Sequence, residues 1–161
     1  MILSLAMSLA LNQASPSEIA ENIKELNPRI HASRAKYLSK IIYKEADRYG
    51  LDPNIITAIL KQESNFEPKK VCYTVRRKGV DVPTCDHGIS QINSAWAQRW
   101  NLDPDILTQD DALNIHTAAR VLSIIEKQFD EKNFWSRYNT SVKSKRNVYE
   151  VSVTTYLEKI E

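Results

Sequence analysis

Apolar positions in this chain recur every three or four residues through most of its length, the period of helices that bury one face. Ser15-Pro16-Ser17-Glu18 reads as a helix start: a hydroxyl cap, a proline at the first helical position, and a glutamate three residues after the cap. Ile19, Ile23 and Leu26 then share a face, and Asn27-Pro28 ends the run. Leu38, Ile42, Ala46 and Tyr49 predict a second helix from about Ser33 to Tyr49, with Gly50 as its left-handed stop. Asp52-Pro53 starts a third, burying Ile55, Ile56, Ile59 and Leu60 and ending near Asn65. From Glu67 to His87 the pattern breaks. Pro68, Gly79 and Pro83 interrupt a polar stretch expected to be a loop or a short β-hairpin. Ile89 to Asn93 lead into a helix carrying Trp96 and Trp100. Two further helices are expected, one from about Asp110 to Phe129 with Ile115, Ala119, Leu122 and Phe129 inward, and one from about Lys145 to Ile160. No repeat, low-complexity tract or linker divides residues 15–161, so one mainly helical domain is expected there.

Composition narrows the function classes. With 161 residues, 42% of them apolar, the chain can bury a core without metal or many staples. A net charge of only +2 argues against nucleic-acid binding, which needs a dense basic face, but suits contact with an acidic polymer. Ile2 to Leu11 form an apolar run of signal-peptide core length, with Ser8-Leu9-Ala10 as a small-residue cleavage site. No Lys or Arg precedes that run, the first being Lys24, so residues 1–14 read equally as an export signal or as a buried or membrane-touching helix. No apolar run is long enough to span a bilayer. Cys72 and Cys85 are expected to pair as a disulfide if the protein is exported. Two free thiols are the plain alternative. A zinc site of Cys72, Cys85 and His87 is a third, and it lacks a fourth ligand.

Glu63 is the residue whose position carries most chemistry. It lies four residues after Ile59 and seven after Ile56, on the face its helix buries. A carboxyl placed there loses water, its pKa rises, and it becomes a proton donor near neutral pH. Glycosidic oxygen needs such a donor to leave. Charge placement on ordinary helices favours the alternative, a glutamate at a helix end turned to solvent.

The context of Glu63 favours the first reading. Glu63-Ser64-Asn65-Phe66 is followed by Gly88-Ile89-Ser90-Gln91-Ile92-Asn93-Ser94-Ala95-Trp96, then by Asn114-Ile115 with Ala118-Ala119 and Leu122, and then by Tyr138-Asn139. In this order and spacing, across about Ile55 to Tyr156, the motifs resemble the lysozyme-like superfamily, above all soluble lytic transglycosylases of the type associated with phage and secretion systems. The resemblance implies a mainly α, lysozyme-like (α+β) fold with a small hairpin beside a sugar cleft. It implies Glu63 as catalytic acid, Gln91 lining the cleft, and the Tyr138 hydroxyl on Glu63. Ser64, Asn93 and Asp86 join Gln91 and Tyr138 as candidate substrate-contacting residues. Three departures stand out: Ser90 where a bulky apolar residue is usual, no glycine after Tyr138-Asn139, and a longer segment between Glu63 and Gly88.

The implied substrate is peptidoglycan glycan, with no cofactor, no metal and no nucleic acid, acted on by a monomer in the envelope, alone, with envelope-spanning machinery or from a virion. Asp86-His87-Gly88 also resembles the animal-type lysozyme segment, where an aspartate two residues before the glycine is a second carboxylate. Hydrolysis by Glu63 and Asp86, and a non-catalytic peptidoglycan-binding module, are therefore the competing functions. Trp96, Trp100 and Trp135 are candidates for stacking on sugars and, more often in proteins, for core packing. Arg137, Lys143, Lys145 and Arg146 form a basic stretch that reads most simply as solvated surface.

Overall fold

Helix caps punctuate the first third of the molecule. The computed structural model describes residues 13–129, 131–139 and 143–160, and the apolar run at Ile2–Leu11 lies outside them. Helix α1 (Pro16–Leu26) starts with a complete capping box, the Ser15 backbone N–H donating to Glu18 at 2.7 Å. Helix α2 (Ala32–Tyr49) begins one residue before the expected start, because His31 caps it by accepting from the Ser33 N–H. It stops at Gly50, whose φ of 68° is the left-handed cap. Asp52 and Pro53 start α3 (Pro53–Ser64), which ends at a left-handed Asn65.

The polar stretch is a hairpin. Strands β1 (Lys69–Arg77) and β2 (Val80–Gly88) pair antiparallel with Cys72 opposite Cys85, and the two sulfurs are bonded. The disulfide rules out the zinc alternative, since its thiolates no longer exist as ligands. Lys78 and Gly79 both have positive φ, the mark of a tight two-residue hairpin turn whose twist matches the strands. A short third strand, β3 (Ile92–Asn93), adds to β2, placing Asn93 opposite Asp86.

Five more helical pieces follow among the described residues. They are α4 (Ser94–Arg99), α5 (Pro104–Gln109), α6 (Asp111–Gln128), a 3-10 turn at Phe134–Arg137 and α7 (Lys143–Ile160). Expectation stopped short of α5, although Asp103-Pro104 repeats the cap-and-proline signal of α3. Helix α6 is buried on most of its circumference, from Asn114 and Ile115 through Leu122 to Ile125. It lies against α2, α5 and β2, while α3 packs against α7. The large apolar cluster joins α1, α2, α3, α6 and α7, and a smaller one of Ile92, Ala97, Leu107 and Ala118 sits under the sheet. The result is a mainly α lysozyme-like architecture with a small sheet at one side. None of the described helices is long and apolar enough to cross a membrane.

Candidate active site

Glu63 occupies the last turn of α3, half-buried, on a helix whose buried positions include Ile56, Ile59 and Leu60. Its carboxyl forms part of the floor of a cleft of about 860 Å³, walled by the hairpin, by α4 and by the Arg137–Asn139 segment. Burial is the largest influence on that carboxyl and raises its pKa from 4.5 to about 7. The negative charge of Asp86 pushes the same way. The Tyr149 hydroxyl pulls it back by donating to Glu63 Oε1 at 2.7 Å, and so do Lys69 and Asn139. The outcome is an acid that titrates near neutral pH, held by the Tyr149 hydroxyl and lining the cleft.

The tyrosine that holds the acid is Tyr149, not Tyr138. Tyr138 donates its hydroxyl to the Ser90 carbonyl at 2.8 Å and so braces the turn from Gly88 to Gln91, although its ring lines the cleft. Burial and the nearby Glu63 charge raise the pKa of both tyrosines well above the ordinary value, so both stay protonated donors. Tyr149 is buried on α7, four residues before the fully buried Val153 and eight before Leu157, and that apolar spacing is its only mark in the sequence.

Substituting Tyr149 by Phe removes a donor that favours the Glu63 carboxylate. Glu63 should then titrate higher still, and the alkaline limb of a pH–activity profile that follows its protonated form is expected to move to higher pH. A profile superimposable on the unsubstituted one would show that Tyr149 merely packs.

Ser64 lies behind the cleft rather than in it. Its buried hydroxyl donates to the Ile89 carbonyl at 2.5 Å and ties the end of α3 to the turn that follows β2. Within that turn Gly88 has φ 74° and Gln91 φ 50°. The Gln91 side-chain amide nitrogen donates to the carbonyls of Gly88, at 2.7 Å, and Lys69, at 2.9 Å. With its donors occupied there, Gln91 offers its Oε1 to the cleft as an acceptor. Ser90 is fully buried, and its N–H and hydroxyl both bond the Asn114 side chain. A bulky apolar side chain would lose the hydroxyl's bonds and crowd the buried Asn114, so serine suits this position.

Asp86 and Asn93 line the cleft together. The Asn93 amide donates to Asp86 Oδ1 at 2.8 Å, and its Oδ1 accepts from Ala95 N–H to cap α4. Tyr73, on the neighbouring strand, has its pKa raised chiefly by burial and then by hydrogen bonding to Asp86. Asp86 is therefore oriented and electrostatically coupled to Glu63. Of the tryptophans, Trp96 lines the cleft, Trp100 packs against it with ring centroids 4.9 Å apart, and Trp135 belongs to the core. Arg137 lines the cleft with its guanidinium engaged by Glu131 at 2.6 and 2.9 Å. Among the described residues no His, Cys, Asp and Glu cluster is grouped to hold a metal ion.

Residues 40–152 match the family described as Transglycosylase SLT domain, a span from α2 to α7 that contains each of these cleft residues. No curated protein and no solved structure matches the chain.

Proposed function

The chain belongs to the transglycosylase SLT family, and we propose that it cuts the β-1,4 bond between N-acetylmuramic acid and N-acetylglucosamine in peptidoglycan, leaving a 1,6-anhydro-muramic end. The observation that carries this is one half-buried carboxylic acid, Glu63, with its pKa raised to about 7 by lost solvation, lining the cleft and hydrogen-bonded by a tyrosine. In the first half of the reaction Glu63 gives its proton to the glycosidic oxygen as the bond to C1 breaks, and the glucosamine leaves as an alcohol. In the second half the Glu63 carboxylate takes the proton of the muramic C6 hydroxyl as that oxygen bonds C1. The acid is regenerated, and no water is consumed. The nucleophile is already tethered to the sugar, so it carries a large entropic advantage over a water molecule. Gln91 Oε1, Asn93 and the Tyr138 ring supply the cleft surface against which the sugars are placed. A monomer is the proposed working unit. The substrate lies in the envelope, which requires delivery by export, through envelope machinery or from a virion.

A second reading has its own support. Asp86 shares the cleft, is held by Asn93, and its charge is felt at Glu63. A carboxylate so placed suits a hydrolase that uses two acids. Mass spectrometry of soluble muropeptides separates the two readings, because hydrolytic products are one water heavier. Anhydro products are expected, with Asp86→Asn reducing activity only modestly. Reducing-end products, together with loss on Asp86→Asn as severe as on Glu63→Gln, would replace transglycosylation by lysozyme-type hydrolysis. Failure of the folded protein to clear purified cell walls at any pH or salt would leave a binding module.

A further inference from the structure

The β1–β2 hairpin carries a basic end for which neither the fold nor the bond-breaking step has a use. Strand alternation divides its side chains between two faces. Tyr73, Val75 and Arg77 share a face with Thr84 and Asp86, and the other face holds the Cys72–Cys85 bridge together with Arg76 and its register partner Asp81. Tyr73, Val75 and Arg77 all line the cleft, and Arg76 borders it. The one acidic residue near the tip, Asp81, is therefore on the face away from Arg77. Among the described residues neither Arg76 nor Arg77 has a carboxylate within 4.0 Å, whereas Arg137 on the opposite wall is neutralised by Glu131. The disulfide and the tight Lys78-Gly79 turn hold this arm in one shape. Arg77 is six residues beyond Val71, the partner of Asp86, or about 20 Å along the strand at roughly 3.3 Å per residue.

We infer that Arg77, with Arg76 beside it, is a binding site for the carboxylates of the peptide side chains that the glycan carries. The inference rests on peptidoglycan being the substrate. The sugar repeat offers hydroxyls and amides, which need no cation. Formal negative charge enters the strand only through the branches on muramic acid, as peptide carboxylates or, where the peptide is missing, as the bare lactyl carboxylate. A guanidinium is the group suited to gripping a carboxylate through two parallel hydrogen bonds. At about 20 Å along the strand from the level of Asp86 it acts on which glycan is held, and at which register. In this way the enzyme favours peptide-substituted over bare glycan.

The test measures equilibrium binding at low ionic strength in the Glu63→Gln background, where strands are held without being cut. Three probes are compared: uncross-linked peptide-bearing glycan strands, the same strands after amidase removal of the peptides, and a neutral N-acetylglucosamine oligomer. Peptide-bearing strands are expected to bind roughly threefold to tenfold more tightly than stripped ones, the range between an exposed ion pair and a charge-assisted hydrogen bond. Adding Arg76→Gln with Arg77→Gln should bring that ratio close to one, and Arg77→Lys should keep part of it. A ratio unmoved by the double substitution overturns the site. Equal weakening toward peptide-bearing and stripped strands, with the neutral oligomer spared, assigns the arginines to the lactyl carboxylate and overturns it too. Wall clearing by the unsubstituted chain is scored in parallel. Its absence with the binding preference intact would sink the cleavage reaction and leave this site standing.

Discussion

Glu63→Gln is expected to abolish wall cleavage and, in the same protein, to raise stability at alkaline pH. The amide keeps the shape of the side chain but has no proton to give the leaving oxygen, and losing a general acid costs about 10²–10⁴-fold in rate. The stability effect follows from the pKa. In the folded protein Glu63 titrates near 7, against 4.5 as the ordinary value. The native state therefore binds more protons than the unfolded chain between those two pH values, and stability falls as pH rises through that window. At pH 8 the buried carboxylate costs about 3 kcal/mol at 1.36 kcal/mol per pKa unit, reduced somewhat because the side chain opens on the cleft. Glutamine cannot ionise and avoids that cost. Thermal melts from pH 4 to pH 8 should show the two proteins diverging with rising pH, the variant being the more stable above pH 7. Parallel melts over the whole range would mean that Glu63 is solvated, and retention of more than a tenth of the activity would mean that another group is the acid.

The helices were legible where a cap and an apolar stripe agreed. Ser15-Pro16, Asp52-Pro53 and Gly50 each mark a boundary that local chemistry alone decides. Helix α5 carries the same signature at Asp103-Pro104, yet it is six residues long, buries Leu107 and exposes Ile106, so it has no stripe to read. The hairpin was recognisable only by its breakers. Strand β1 is exposed at nearly every position, odd and even alike, and a strand wetted on both faces shows no period-two burial.

At the site, Glu63 could be picked out by combining its helix face with the motif order, because burial and identity both act within a few residues. The tyrosine on Glu63 could not. Tyr149 is 86 positions away, and only the docking of α7 against α3 brings the two together. Tyr138 carries the family's Tyr-Asn pair, but its hydroxyl is directed by the Ser90 carbonyl, a partner set by the local path of the Gly88–Gln91 turn. Likewise the motif residue Ser64 proved to position the turn, since its hydroxyl is consumed by a backbone carbonyl before any sugar arrives.

The largest loss of stability is expected from Asn114→Ala. Asn114 is fully buried on α6, and its amide nitrogen donates to the His87 carbonyl at 2.8 Å and the Leu107 carbonyl at 2.9 Å. Its oxygen accepts from the Ser90 N–H at 2.8 Å and from the Ser90 hydroxyl. One side chain thus joins α6, the end of α5 and the turn that carries Gln91 into the cleft. Alanine would leave the two carbonyls and the Ser90 N–H unpaired in a dry interior, each costing about 1–3 kcal/mol. A net loss of about 3–5 kcal/mol is expected after partial relaxation, a large share of the roughly 5–15 kcal/mol that stabilises a domain. Gly88 is fitted to the same group. A Cβ there would stand 2.2 Å from Asn114 Nδ2 and 2.6 Å from the Leu107 carbonyl oxygen, at a φ of 74° that side chains resist. Gly88→Ala should therefore cost about 1–3 kcal/mol from overpacking, with the left-handed backbone adding roughly one more. The two substitutions share an atom pair, so they should not add. Removing Asn114 relieves the clash with its amide but leaves the one with Leu107, and the double variant should lose measurably less than the sum of the singles. Urea unfolding of the four proteins closes this cycle. Additive losses, or an Asn114→Ala cost below about 1 kcal/mol, which is a single hydrogen bond's worth, would show that the turn beside Glu63 is held by something other than Asn114.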